Sequence, residues 1–420
     1  MRKHNPVGTK RDQVAKPYCG LSSLMPMYPP TMIVGKTIFC IRQSLTKSSV
    51  KANDKKSTHL PSNSVSGYNV APWERPIVAV IPRFGEPFCI MHELSTNHVR
   101  MAKERGTLWM DDVSFYSEHP RLTNRIPLTL QWPELVAQKL RSRGLISARI
   151  GVDTTGGPIS RVPAYLQSGA SLVPSEERMR ELRWVKHQEE LALVRKAGLL
   201  SDFGQECFKA NIRGGRSVQE LDSAVTAQIM AEASRRYPGE HVEVRLFSLS
   251  GPESAAPHGT GAPTGSRIEE GHGIVNVLIV RLNGLVVENE RTWFCGQPTD
   301  AQAKAFHAAT EAQETAIAEL YAGNVLANVD AAALAVVERA GYGDYVLHRT
   351  GHGVGIAGHE FPDDMPFNLR PLRTGEVYSA EPGIYIYGMG GFRHDDTVIV
   401  GETPEVVTHT PKDIVAQTIL

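Results

Sequence analysis

Two short segments near the C-terminus hold residue types that can do chemistry, in surroundings where those types are costly to keep. Thr350-Gly351-His352-Gly353-Val354-Gly355 sets one imidazole between glycines, so backbone can crowd close to whatever the ring holds. Ser379-Ala380-Glu381-Pro382-Gly383 sets a carboxylate between the apolar pair Val377-Tyr378 and a Pro-Gly stop. A charge in such a run is unfavourable unless a metal or a counter-ion meets it. Further candidates are His258 in Pro257-His258-Gly259, Glu288 and Glu290 ahead of Arg291-Thr292, His348 and His359 on either side of His352, and Arg393-His394-Asp395-Asp396. Each has an ordinary explanation alone: a turn histidine, a solvated strand edge with Arg291 as counter-ion, a charged turn. Together they offer carboxylates and an imidazole from separate strands, the donor set of a hard or borderline divalent metal. Such an ion lowers the pKa of bound water to about 7, which makes a nucleophile at neutral pH. His258 and His359 would then position substrate and move protons. The chemistry expected is hydrolysis.

Elements that could present these groups follow from the periodicity. Ile77–Ile81 and Pro87–Met91 read as short buried strands, Trp132–Arg143 as a helix and Ala148–Val152 as a strand, an alternating α/β pattern. From Glu176 to Ala197 apolar residues recur at helical spacing, and Val218–Ser234 is a second helix with Ser217 as N-cap. Ile274–Val280 and Leu285–Glu288 flank Asn283-Gly284, a strong hairpin signal. Glu288 and Glu290, two apart on a strand, would share a face. Ala301–Ala322 and Val329–Ala340 read as helices, and residues 345–400 as strands and turns. Blocks of helices and antiparallel strands make the larger part α+β.

Composition bounds the possibilities. At 420 residues two domains are expected, and no apolar run is long enough to span a bilayer. Equal numbers of acidic and basic residues, 45 each, argue against a nucleic-acid or membrane-surface role. The balance hides an asymmetry, since residues 1–60 hold eleven Lys/Arg and two Asp. That stretch shows no sustained period, and most of it reads as loosely ordered. It has no clean signal peptide, although a basic, acid-poor start also suits a transit peptide. Cys19, Cys40, Cys89, Cys207 and Cys295 are scattered without a Cys-x-x-Cys pair, which suits a reducing compartment and a cytoplasmic protein.

From about Val65 to Pro411 the chain resembles the creatinase/aminopeptidase P/prolidase family of pita-bread hydrolases, peptidase family M24. Leu182–Lys186, Ser250-Gly251-Pro252 through His258, Glu290-Arg291-Thr292, Thr350–Gly355 with His359, Glu381–Tyr385 and Gly391–Asp396 carry the resemblance. It implies an atypical N-terminal segment over 1–60, a creatinase-type α/β domain over 61–175, a pita-bread catalytic domain over 176–420, and a homodimer. The peptidase branch holds two metals with Asp, Asp, His, Glu and Glu. By motif, His352 and Glu381 match the His and the first Glu, Glu288 stands for the second Asp, and Asp395 for the last Glu. The first Asp falls at Asn276 or Val277, neither a carboxylate. The missing Asp serves only one of the two ions, so one divalent ion (Mn, Zn, Co or Fe) held by Glu288, His352, Glu381 and Asp395 is expected. The reaction implied is hydrolysis of C–N bonds in small peptides, Xaa-Pro substrates among them.

The creatinase branch implies an alternative without metal. There Glu290 and Glu381 would clamp a guanidino or cyclic amidine substrate, and His258 would work on water directly. Against it, that branch lacks a carboxylate at position 288 and has His at position 395. A non-catalytic binding protein on the same fold is a third reading. Arg370 and Arg393 are candidates for anchoring a substrate carboxylate, and His348 for orienting a ligand or substrate. His394 and Asp396, flanking Asp395, would face the other side of their strand.

Overall fold

Short apolar runs bounded by Gly, Pro and Asn become strands in the computed structural model. It describes residues 75–420 and the backbone of Thr37–Arg42, without 106–107, 109, 118–131, 148, 154, 168, 258–260 and 361–363. The first sheet is built from β1 (Thr37–Arg42), β2 (Val78–Pro82) and β3 (Phe88–His92), then, after α1 (Thr96–Glu104), β4 (Asp112–Tyr116). Helix α2 (Trp132–Ser142) leads on to β5 (Arg149–Val152) and β6 (Ser171–Pro174). Among the described residues the strand order is β4-β3-β2-β1-β5-β6.

Both faces of this sheet are covered, which explains why its strands read as continuous apolar runs. Val78, Val80, Phe88 and Ile90 pack against Trp132, Val136, Ala137 and Leu140 of α2. Ala79, Cys89 and Met91 pack the other way, against Val99 and Ala102 of α1. Within residues 1–60, most of which reads as loosely ordered, β1 lies between β2 (antiparallel) and β5 (parallel). A run as short as Ile38-Phe39-Cys40-Ile41 has no period of its own, and it becomes a strand because neighbours pair with it on both sides. The rest of 1–60 lies outside the described residues.

One predicted helix is in fact two. The stretch expected to run from Glu176 to Ala197 breaks into α3 (Glu176–Trp184) and α4 (Gln188–Asn211). Between them Val185 bridges Glu376, the Lys186 N–H donates to the Gly375 carbonyl at 2.8 Å, and His187 caps α4. Tertiary hydrogen bonds outweigh helical propensity there. Met179 and Leu182 of α3 pack with α1 and the first sheet.

The second unit starts with α4 and α5 (Val218–Arg236), followed by β7 (Val242–Ser250), β8 (His272–Leu282) and β9 (Leu285–Cys295). A second helix pair, α6 (Asp300–Glu319) and α7 (Leu326–Arg339), precedes β10 (Val377–Ala380), β11 (Gly383–Ile386), β12 (Gly390–Arg393) and β13 (Asp395–Ile399). Two short strands, β14 (Glu405–Val406) and β15 (Thr418–Ile419), end the chain. The order in the larger sheet is β10-β13-β9-β8-β7, with β14 on β13, β15 parallel to β9, and β11-β12 a separate hairpin. Asn283 and Gly284 turn β8 into β9 with φ of 49° and 91°, the left-handed pair that a tight two-residue hairpin needs. Strand β9 runs well past the predicted Glu288, so Glu290 also lies on it.

Helix α4 covers one face of β8 and β9 with a buried amide ladder. Gln205 donates to the Asn289 carbonyl at 2.7 Å and to Asn276 Oδ1 at 3.3 Å, and it accepts from Trp293 Nε1 at 3.1 Å. Side chains alternate along a strand, so Val277, Glu288 and Glu290 turn to the opposite face.

Candidate active site

Sheet register delivers the carboxylates to one face. Glu290 lies opposite Val277 on β8 and opposite Asp395 on β13, and directly opposed residues of antiparallel strands share a face. Glu288 is two residues back on β9, and Glu381 follows the end of β10, which pairs with β13. Carboxylate oxygens of Glu290, Glu381 and Asp395 all lie within 4.8 Å of one another. Each of Glu288, Glu290, Glu381 and Asp395 is 5% exposed or less.

His352 closes the group from a separate arm. Its Nε2 is 3.3 Å from Glu381 Oε1 and 3.4 Å from Glu288 Oε2. Its Nδ1 donates to the Gly353 carbonyl at 3.0 Å, which leaves Nε2 aimed at the carboxylates. The arm can come this close because Gly351 has no side chain: a Cβ there would sit 2.1 Å from the Ser379 carbonyl oxygen. Glu381's own N–H donates to the Thr350 carbonyl at 2.6 Å, pinning the two segments together.

Crowding leaves a surplus of negative charge. Burial and the neighbouring Glu381, Glu290 and Glu288 push the Asp395 carboxyl well above its usual range. Burial, opposed by Arg393 but reinforced by Glu381 and Glu288, raises Glu290 to about 8. Although burial opposes it, His352 is held strongly protonated by Glu288 and Glu381. Glu381 stays ionised below the ordinary carboxylate range, against its burial, because His352 and Arg393 face it. Asp395 accepts the Ala380 N–H with Oδ1 at 3.2 Å, but Oδ2 is buried without a hydrogen-bond partner. Burial and mutual repulsion thus favour protons on Asp395 and Glu290, the charge compensation that a divalent cation would take over. A carboxylate-rich set with one imidazole and an unpartnered buried oxygen fits such an ion, which would displace those protons.

The remaining predicted residues divide clearly. Arg393 is in the cluster: its Nε meets Glu290, Nη1 is 3.8 Å from Glu381, and Nη1 donates to the Tyr385 hydroxyl at 3.1 Å and to the Pro257 carbonyl at 3.0 Å. His258, next to Pro257, lies outside the described residues. His348 adjoins through Tyr385, whose hydroxyl is 2.7 Å from Nε2 while Nδ1 donates to the Arg349 carbonyl at 2.7 Å. His359 stacks on His352, ring centroids 3.7 Å apart and 17° from parallel, with Nδ1 accepting from Arg349 at 3.1 Å. Partial burial, His352 and Arg349 push His359 down to about 4, so it is neutral at physiological pH.

Arg370 is elsewhere. Its guanidinium is bidentate to Glu376, at 2.7 and 2.8 Å, and lies 4.0 Å over the Trp184 ring. Those contacts explain a structural arginine and do not support a substrate anchor. Two neighbours of Asp395 face the other way, as alternation requires: His394 packs edge-on against Phe306, and Asp396 pairs with Arg291 at 2.7 Å.

The two alternatives for the missing Asp also separate. Asn276 belongs to the amide ladder under α4, whereas Val277 occupies the carboxylate face. Tyr385 was not singled out as a site residue. The signal was in its strand: Gly383, two residues before, leaves the space the ring fills, since a Cβ there would lie 2.4 Å from the hydroxyl.

Comparison with known proteins places this architecture. Residues 192–402 match the profile of Metallopeptidase family M24. YkvY of Bacillus subtilis, a proposed dipeptidase, is 30% identical over 84% of this chain and 92% of its own. Prolidase from Thermococcus sibiricus superposes with a TM-score of 0.73 at 24% identity, covering 92% of this chain and 94% of that one. Dipeptidase PepE from Mycobacterium ulcerans gives 0.71 at 25% identity over 92% and 94% of the two chains.

Proposed function

This chain belongs to metallopeptidase family M24 as a hydrolase of the metallo-dipeptidase type, and from that premise we propose that it cleaves short peptides, Xaa-Pro dipeptides foremost, with a single divalent ion. The observation that carries the reading is the face shared by Glu288, Glu290 and Asp395, where Val277 puts an apolar side chain at the position of a fifth ligand. Glu288, His352, Glu381 and Asp395 would hold the ion. When bound, it supplies Lewis acidity toward a carbonyl and toward water.

The protein's own groups do the rest. His359 is neutral and open to solvent on one side, and with Nδ1 accepting from Arg349 its Nε2–H is left to donate to substrate. Arg393 compensates the Glu290 carboxylate, and its Nη1 donates to the Tyr385 hydroxyl and to the Pro257 carbonyl. His348 accepts from the Tyr385 hydroxyl and so orients it. The Arg393 guanidinium suits the free carboxylate of a dipeptide.

The test is metal content and chelator response of the purified full-length chain. Close to one Mn, Zn, Co or Fe per chain is expected, with Xaa-Pro cleavage abolished by chelator and restored by the ion. Chelator-resistant hydrolysis of a guanidino compound would instead favour the creatinase-like reading. The structure weighs against that alternative, because Arg393 already sets a guanidinium between Glu290 and Glu381. Should Glu381→Ala leave every turnover unchanged, a binding role replaces both.

A further inference from the structure

The loop that carries His359 is tied to the small domain by buried ions. Gly353 and Glu360 close it as an antiparallel bridge, the Glu360 N–H donating to the Gly353 carbonyl at 2.8 Å. The Glu360 carboxylate folds back into the loop and accepts the Ile356 N–H at 2.7 Å. It fills the interior so fully that a Cβ on Gly355 would lie 2.3 Å from it. Lys186 Nζ reaches Glu360 Oε2 at 3.1 Å, and Arg183 Nε lies 3.9 Å from Oε1 while its Nη1 donates to Glu190 at 2.7 Å. All three side chains are a tenth exposed or less. Arg183 belongs to α3 and Lys186 to the joint just after it, and α3 is packed into the first sheet through Met179 and Leu182.

A buried ion pair is an inefficient way to add stability, because desolvation of both charges offsets most of their attraction. What it does supply is one geometry. The loop passes over the carboxylates, with Gly358 placing a would-be Cβ 3.4 Å from Glu288 Oε1, and it sets the His359 ring flat on His352. We propose that Lys186 and Arg183, acting through Glu360, are positioning residues that hold His359 in its stacked pose and transmit the seat of α3 on the small domain to the reactive centre. Neither touches the carboxylate cluster; they act through the loop.

Its kinetic arm rests on the hydrolase reading above; its chemical arm does not. Lys186→Met/Glu360→Gln removes both charges together, leaves Arg183 paired with Glu190, and so avoids stranding a buried ion. In the full-length chain, carbethoxylation of His359 by diethyl pyrocarbonate, read by peptide mass spectrometry against the exposed His241, is expected to accelerate several-fold. Lys186→Arg with Glu360 kept, which preserves the ion pair, should react at the parental rate. Displacement on this scale costs roughly ten- to a hundredfold in kcat, with KM for an Xaa-Pro dipeptide little changed. A folded double variant, with parental circular dichroism, whose His359 reacts at the parental rate overturns the proposal. If the parent hydrolyses nothing but His359 still becomes more reactive, the hydrolase reading fails and the positioning claim stands.

Discussion

Glu381 is the residue on which the cluster turns, since it faces His352 with one oxygen and Arg393 with the other. Removing it should lower kcat by roughly 10²-fold or more, measured at saturating substrate and metal. Tyr385→Phe keeps the ring but deletes the hydroxyl held between His348 and Arg393, and about a tenfold loss in kcat/KM is expected. Unchanged kcat/KM would show the hydroxyl to be structural. Protonation sets a further expectation. Glu290 and Asp395 have folded pKa values above their unfolded ones, so they stabilise the ion-free fold when protonated, and that contribution is lost as pH rises through the folded values. His352 acts in the same direction. The ion-free chain should therefore melt several degrees lower at about pH 9 than at about pH 7, and a saturating divalent ion should flatten the difference. Scanning calorimetry with and without chelator decides it. The burial of Glu381 was legible from the apolar residues around it. That of Glu360 was not, because its partners Lys186 and Arg183 lie in a distant segment that only the fold brings near.

Strand register explains most of what could be read at the level of elements. Asn283-Gly284 announced the hairpin, and alternation along β9 put Glu288 and Glu290 on one face. Whether Asn276 or Val277 faced them depended on one residue of register, which pairing settles: Val277 opposes Glu290. That makes Val277→Asp a direct test of ion number. Metal content of the substituted protein should rise from about one to about two per chain by plasma mass spectrometry, and a count that stays at one would show the second position to be closed for another reason. The break between α3 and α4 was missed because helical spacing continues across it, while Val185 and Lys186 bond to the Glu376 region instead.

At the scale of the molecule, the division into a small α/β part and a larger α+β part was legible, but β1 was not. Four apolar residues in a polar stretch acquire a strand only when β2 and β5 flank them. Among the described residues no helix is long and apolar enough to cross a membrane. A homodimer is the expectation drawn from the resemblance, so light scattering after size exclusion should give about twice the 46.1 kDa of one chain; a monomer at micromolar concentration would contradict it. One buried residue offers a different kind of access. Trp293 sits on β9 beneath the carboxylate face, 2% exposed and hydrogen-bonded to Gln205. Its indole emission is a native optical gauge of that strand, so titrating cations into a protein whose other tryptophans are replaced by phenylalanine would report occupancy without any label, substrate or turnover.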